Sequence, residues 1–160
     1  MKKTAFVILV LVLFMLNMPA YADSCELSGD CTIAENVFSD GENSCFIDGV
    51  AEYSCQTILP NSLSFKLAAD NFGGNIIICG KSGNIEILLE KSPDGFAVKN
   101  GGKIIAEVLR CSWFEVKINI SGKNYEIAVY DGDYKIGGVA GECNNTFAFC
   151  GIEFSSEGLY

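Results

Sequence analysis

From Leu63 onward, apolar residues recur at every second position in short runs, and each run stops at a cluster of glycine, asparagine or aspartate. "LSFKLAA" sets Leu63, Phe65 and Leu67 against Ser64 and Lys66 and ends at Asp70-Asn71-Phe72-Gly73-Gly74. "NIIIC", "IEILLE", "FAVK" and "KIIAEVL" follow, divided by Lys81-Ser82-Gly83-Asn84, Ser92-Pro93-Asp94-Gly95 and Asn100-Gly101-Gly102. "YKI" and "TFAFCGIEF" close the series. Two-residue alternation puts successive side chains on opposite faces of a strand, and no window of helical length keeps a 3.6-residue period. Short strands rich in Ile, Val, Phe and Tyr, spaced by turn residues, predict an all-β sandwich or barrel.

The most regular stretch is "WFEVKINISGKNYEIAVYDGD", Trp113 to Asp133. Phe114, Val116, Ile118 and Ile120 share one face, with Glu115, Lys117 and Asn119 on the other. After Ser121-Gly122-Lys123-Asn124, Tyr125, Ile127 and Val129 line one face and Glu126, Ala128 and Tyr130 the opposite one. One buried and one solvated face is the pattern of an antiparallel pair in a sandwich.

Residues 23–60 lack this rhythm and hold four cysteines and clustered acids (Asp30, Glu35, Asp40, Glu42), with a short helical turn expected at "TIAENVF". They are expected to form a cysteine-rich segment leading through Pro60-Asn61 into a sandwich domain over 61–160. Ahead of them, "MKKTAFVILVLVLFMLNMPAYA" has a basic start, an apolar run from Ala5 to Leu16 and an Ala20-Tyr21-Ala22 cleavage signal. This is the form of an export signal covering residues 1–22, its apolar run too short for a membrane anchor. The expected location is secreted or periplasmic, with no membrane span after signal removal. Losing Lys2 and Lys3 takes the net charge from −9 to −11, which argues against nucleic acid or anionic lipid as partner and permits a divalent cation.

The eight cysteines, Cys25, Cys31, Cys45, Cys55, Cys79, Cys111, Cys143 and Cys150, lie behind the signal. An even count in an exported chain reads as a disulfide framework whose connectivity stays open, Cys143–Cys150 and Cys25–Cys31 being close in sequence. No C-x-x-C pair and no histidine occurs, so the usual zinc spacings are missing. Without histidine there is also no Ser-His-Asp or Cys-His arrangement.

Trp113, Val116, Ile118, Gly122, Tyr125, Ile127, Val129 and Asp131-Gly132 form a hairpin that resembles the W-x-x-V…G…Y-x-I-x-V-x-D-G hairpin of concanavalin A-like sandwiches, laminin-G and pentraxin-type domains especially. The resemblance implies a jelly roll of two antiparallel sheets, a fold used by lectins, glycan hydrolases and adhesion modules. "IEILLE" is similar to the E-x-D-x-E strand of jelly-roll glucanases, which would make Glu86 a nucleophile and Glu90 an acid/base, but Leu88 replaces the middle acid. Positions four apart on a strand are roughly 13 Å apart at Cα, whereas retaining carboxylates stand about 5–5.5 Å apart. An outward, solvated strand face gives the same spacing. Asp131 and Asp133 offer hard oxygens to calcium but also suit a tight turn. Tyr130 and Tyr134 are candidates for stacking on a sugar, and Asn144 and Asn145 for polar contacts from a glycine-rich loop.

The expectation is therefore an exported, disulfide-stapled sandwich acting as a non-catalytic binding module for a glycan or a cell-surface or envelope protein. It carries no cofactor, calcium excepted. The alternatives are a weak jelly-roll glycan hydrolase using Glu86 and Glu90, and a structural surface or assembly subunit.

Overall fold

Alternating apolar residues satisfy their backbone by pairing and bury one face, as Ser62–Ala69, Ile85–Lys91 and Phe114–Ser121 do. The computed structural model describes residues 7–10, 26–34, 44–58, 62–69 and 73–156, with only the backbone described for 7–10 and for parts of 26–58. Twelve strands follow in order: β1 (Val7–Val10), β2 (Glu26–Ala34), β3 (Ser44–Ile58), β4 (Ser62–Ala69), β5 (Gly74–Gly80), β6 (Ile85–Lys91), β7 (Gly95–Asn100), β8 (Lys103–Leu109), β9 (Phe114–Ser121), β10 (Asn124–Asp131), β11 (Tyr134–Glu142) and β12 (Phe149–Ser156). Among the described residues no helix is long and apolar enough to cross a membrane.

All pairings are antiparallel, and the strand path runs β11-β10-β9-β4-β1-β3-β12-β5-β6-β7-β8, with β2 on β3. Two antiparallel layers make up the sandwich. The first is β4-β9-β10-β11 and the second is β12-β5-β6-β7-β8. The β2–β3 hairpin serves both. β2 pairs with both halves of β3, so the other edge of β3 is left for β1 at Cys45–Ile47 and for β12 from Val50 onward. The change of partner falls where the β2–β3 register shifts between Gly29 and Cys31, opposite Gly49 at φ 133. β1 stands between β3 and β4, with Val7 facing both Ile47 and Ala69. It links the two layers into one continuous path.

The core lies between the layers. Leu63, Phe65, Val116, Ile118, Ile127 and Val129 enter from the first, and Ile78, Ile87, Phe96, Val98, Ile152 and Phe154 from the second. Phe65 and Phe154 meet edge to face across the layers, ring centroids 6.4 Å apart at 86°. On the far side β8 and β11 come together: a Cβ placed on Gly137 would lie 1.7 Å from the Ile105 carbonyl oxygen, so the backbones touch there. The Asn100–Lys103 hairpin turns through Gly101 and Gly102 at φ 55 and 79. Two successive positive φ values match a two-residue hairpin turn that follows the strand twist, which side-chain-bearing residues adopt poorly.

The helical turn expected at "TIAENVF" is corrected where it is described: Thr32–Ala34 belong to β2, because pairing with β3 outweighs a weak local preference. Residues 35–38 lie outside the described set. The expected disulfide framework is not found among the described cysteines, and Cys79, Cys143 and Cys150 are free thiols. Cys143–Cys150, close in sequence, is corrected by position: Cys143 is buried in the core, whereas Cys150 leans on the Cys79 carbonyl. Cys25 and the side chains of Cys31, Cys45 and Cys55 lie outside the described residues.

Candidate functional site

Antiparallel register assembles the outer face of the first layer row by row. Lys66 faces Glu115, which faces Tyr130, which faces Lys135. The next row is Ser64, Lys117, Ala128 and Gly138, and the third is Ser62, Asn119, Glu126 and Ala140. Small residues in the middle row let longer neighbours lie down. The Lys135 stem crosses Gly138, where an added Cβ would come within 3.2 Å of its Cε.

The long side chains are tied to one another. Lys117 Nζ sits 4.8 Å from the centroid of the half-buried Tyr130 ring and 3.2 Å from Glu115 Oε2. Ser64 donates its hydroxyl hydrogen to Glu115 Oε1. Lys135 donates to Glu126 Oε1 at 2.9 Å, and that hydrogen bond and the carboxylate charge raise the Lys135 pKa above the usual lysine range. The result is an aromatic ring among hydroxyl, amide, ammonium and carboxylate groups, on strands whose inner faces are locked into the core. Such a surface offers both donors and acceptors to a polyhydroxylated ligand.

The expected site residues are not gathered in one place. Tyr130 lies on this face, and Tyr134, 80% exposed, stands just beyond it across the Asp131–Asp133 turn. Asn144 and Asn145 lie at the other end of β10, in a loop held by Cys143 N donating to Lys123 O and Phe147 N donating to Gly122 O. Eight residues of strand separate the ends, roughly 25 Å. Asp131 and Asp133 are exposed around Gly132 at φ 55, and no group of three or more potential metal ligands occurs among the described residues.

Glu86 and Glu90 are on the outer face of the second layer. Glu86 Oε1 accepts a hydrogen bond from Asn75 Nδ2 at 2.8 Å, and Glu90 is paired with Lys99. Leu88, 39% exposed, stands between them. Five carboxylates, Glu52, Glu86, Glu90, Glu107 and Glu153, share this face with Lys99, since Glu52 faces Glu153, Ile77 faces both Glu153 and Glu86, and Ala97 faces both Glu90 and Glu107.

The sequence singles out Tyr130 on this face but not its neighbours Ser64, Glu115, Lys117, Glu126 and Lys135. The alternation in Trp113–Asp133 marks Glu115, Lys117 and Glu126 as outward-facing, so their signal was present. Lys135 joins them across the Asp131–Asp133 turn, whereas Ser64 joins them only because β4 lies beside β9, a strand order that no local pattern encodes.

No family model matches the chain, and no curated protein does. Among solved structures, the carbohydrate-binding module CBM66 from Bacillus subtilis is similar to it, at 11% identity over 84% of this chain and 92% of that one, with a TM-score of 0.47.

Proposed function

We propose that the chain is an exported binding module that holds a glycan on the outer face of its first layer, with Tyr130 as the ring on which a sugar packs. The observation that supports this is the convergence at Tyr130 of an aromatic ring, the Lys117 ammonium and the Glu115 carboxylate, the last also bonded to Ser64. Sugars present apolar C–H faces and polar hydroxyl edges, so a ring bordered by fixed donors and acceptors matches both. The ion pairs on this face are exposed and contribute little to folding. They serve instead as hydrogen-bonding groups that need little reorganisation to meet a ligand.

Tyr130→Ala is expected to weaken glycan binding by about tenfold or more, roughly 1.4 kcal/mol, while stability changes by about 1 kcal/mol or less. Glycan-array screening of the wild-type chain, followed by titration of both forms against the best ligand, measures this. An array without hits, or equal affinity of the two forms, would overturn the reading. In that case a protein partner is favoured by the apolar side chains of Ile104 and Ile136, exposed next to the Gly137–Ile105 contact.

Export is part of the same proposal. Expression of the full-length sequence in a bacterium is expected to yield a product beginning at Asp23, read by N-terminal sequencing; that cleavage takes away β1 and uncovers the edges of β3 and β4 with which it pairs. A product that retains Met1 in the cytoplasm would count against it.

A further inference from the structure

The geometry points to Cys79 and Cys150 as a cross-strand dithiol that closes to a disulfide joining β5 to β12. Opposite Cys79 and Gly80, β12 carries one residue too many: Phe149 faces Gly80 and Gly151 faces Cys79, leaving Cys150 in the bulge. A bulge sets two residues of one strand against one of its partner, which brings the extra side chain beside that partner residue. Cys150 Sγ donates to the Cys79 carbonyl oxygen at 3.4 Å, while Cys79 Sγ donates to Ile77 O at 3.6 Å. Gly151 has no side chain to stand between them, and it could not carry one freely, because a Cβ there would lie 2.6 Å from Tyr53 O. Adjacent antiparallel strands place Cα atoms within the span that a disulfide bridges.

Both cysteines line a cleft of about 190 Å³ together with Glu52, Tyr53, Ser54, Ile152 and Glu153, which gives an exchange partner a way in. Burial, then the neighbouring Cys150, then Glu153 hold the Cys79 thiol above its ordinary pKa, a backbone hydrogen bond opposing them. Cys143 and Cys111 are placed differently: Cys143 is buried in the core, and Cys111 occupies an exposed turn at φ 54.

Closure is an exchange with a disulfide oxidant. The thiolate of one cysteine attacks the oxidant's S–S bond and expels one thiolate, giving a mixed disulfide. The second cysteine loses its proton, attacks the protein sulfur of that mixed disulfide and expels the other thiolate. One protein S–S bond forms, and the oxidant takes up the two electrons and two protons to become two thiols. Glu52 and Glu153 face each other at the cleft and repel anionic oxidants, so neutral hydroxyethyl disulfide is expected to react faster than glutathione disulfide, with the difference shrinking as salt is added.

The chain, purified under reducing conditions, is equilibrated with excess glutathione disulfide, alkylated without reduction, digested and mapped by mass spectrometry. A peptide pair linking residues 79 and 150 is expected, at least about tenfold more abundant than any pair containing Cys143. Because the bond closes a loop of 71 residues, Tm is expected to rise by about 5–10 °C over the reduced chain. Cys150→Ser should lose the linked pair and leave Cys79 as a glutathione adduct. Cys79 or Cys150 bonded mainly to a different cysteine, or both recovered as alkylated thiols, would falsify the assignment.

Discussion

Phe65→Ala is expected to lower the free energy of unfolding by about 3–5 kcal/mol, among the largest losses a single truncation can produce. Phe65 is 2% exposed, and its ring reaches from β4 to meet Phe154 on β12, so it joins the two layers rather than two neighbours in one. Its removal takes away burial and an edge-to-face contact together and leaves a cavity that backbone-paired strands cannot collapse into. Domains of this size are stable by about 5–15 kcal/mol in total, so the variant should approach the unfolding threshold. Urea denaturation measures it, with Phe65→Leu as a milder companion that retains part of the volume. A loss below about 1 kcal/mol for the alanine would mean that this contact does not hold the layers.

Gly137→Val should cost about 3 kcal/mol or more for the opposite reason, crowding. The added Cβ would fall 1.7 Å from Ile105 O, and the atom it meets is backbone, which cannot swing aside as a flexible side chain does. β11 must then move away from β8, opening the side of the sandwich that these two strands close. Valine has a high strand propensity, so a stability gain would be the naive expectation from local preference. The exposed position Ala140 on the same strand supplies the control, because Ala140→Val meets no such constraint and should shift stability by about 0.5 kcal/mol or less. Amide exchange at Ile105 and Ala106, faster in Gly137→Val and unchanged in Ala140→Val, would locate the damage. Equal urea midpoints for the two variants would count against the close approach.

The fold was legible wherever one strand belongs to one layer. In Trp113–Asp133 the expected inward residues Phe114, Val116, Ile118, Ile120, Ile127 and Val129 are buried, and the turns at Gly122 and Gly132 occur where the alternation breaks. Residues 26–58 gave no such rhythm, and the reason is physical. β3 exchanges β1 for β12 partway along, where its register against β2 also shifts, so no single two-residue period describes the strand from end to end. The surroundings of Tyr130, the candidate site, were only half legible. Side-chain direction follows from position in a strand, which made Tyr130 visible. Which residues flank it depends on pairing between segments some fifty residues apart, such as Ser64 and Glu115, and only the folded register brings these together. The cysteines show the same limit: the even count of eight suggested bridges with their connectivity open, and only the folded register sets Cys150 next to Cys79.

The carboxylates on the second layer also give the molecule an electrical direction. Five glutamates against Lys99 leave that face strongly negative, whereas on the opposite face Lys66, Lys117 and Lys135 balance Glu115, Glu126 and Glu142. The whole chain is anionic, yet its charge is lopsided. Near an acidic polymer or envelope, repulsion acts chiefly on one side and exerts a torque as well as a push. The molecule would turn until the Tyr130 face leads. Screening confines that torque to about 8 Å at physiological ionic strength, so it acts in the last moments of an encounter and selects which face makes first contact.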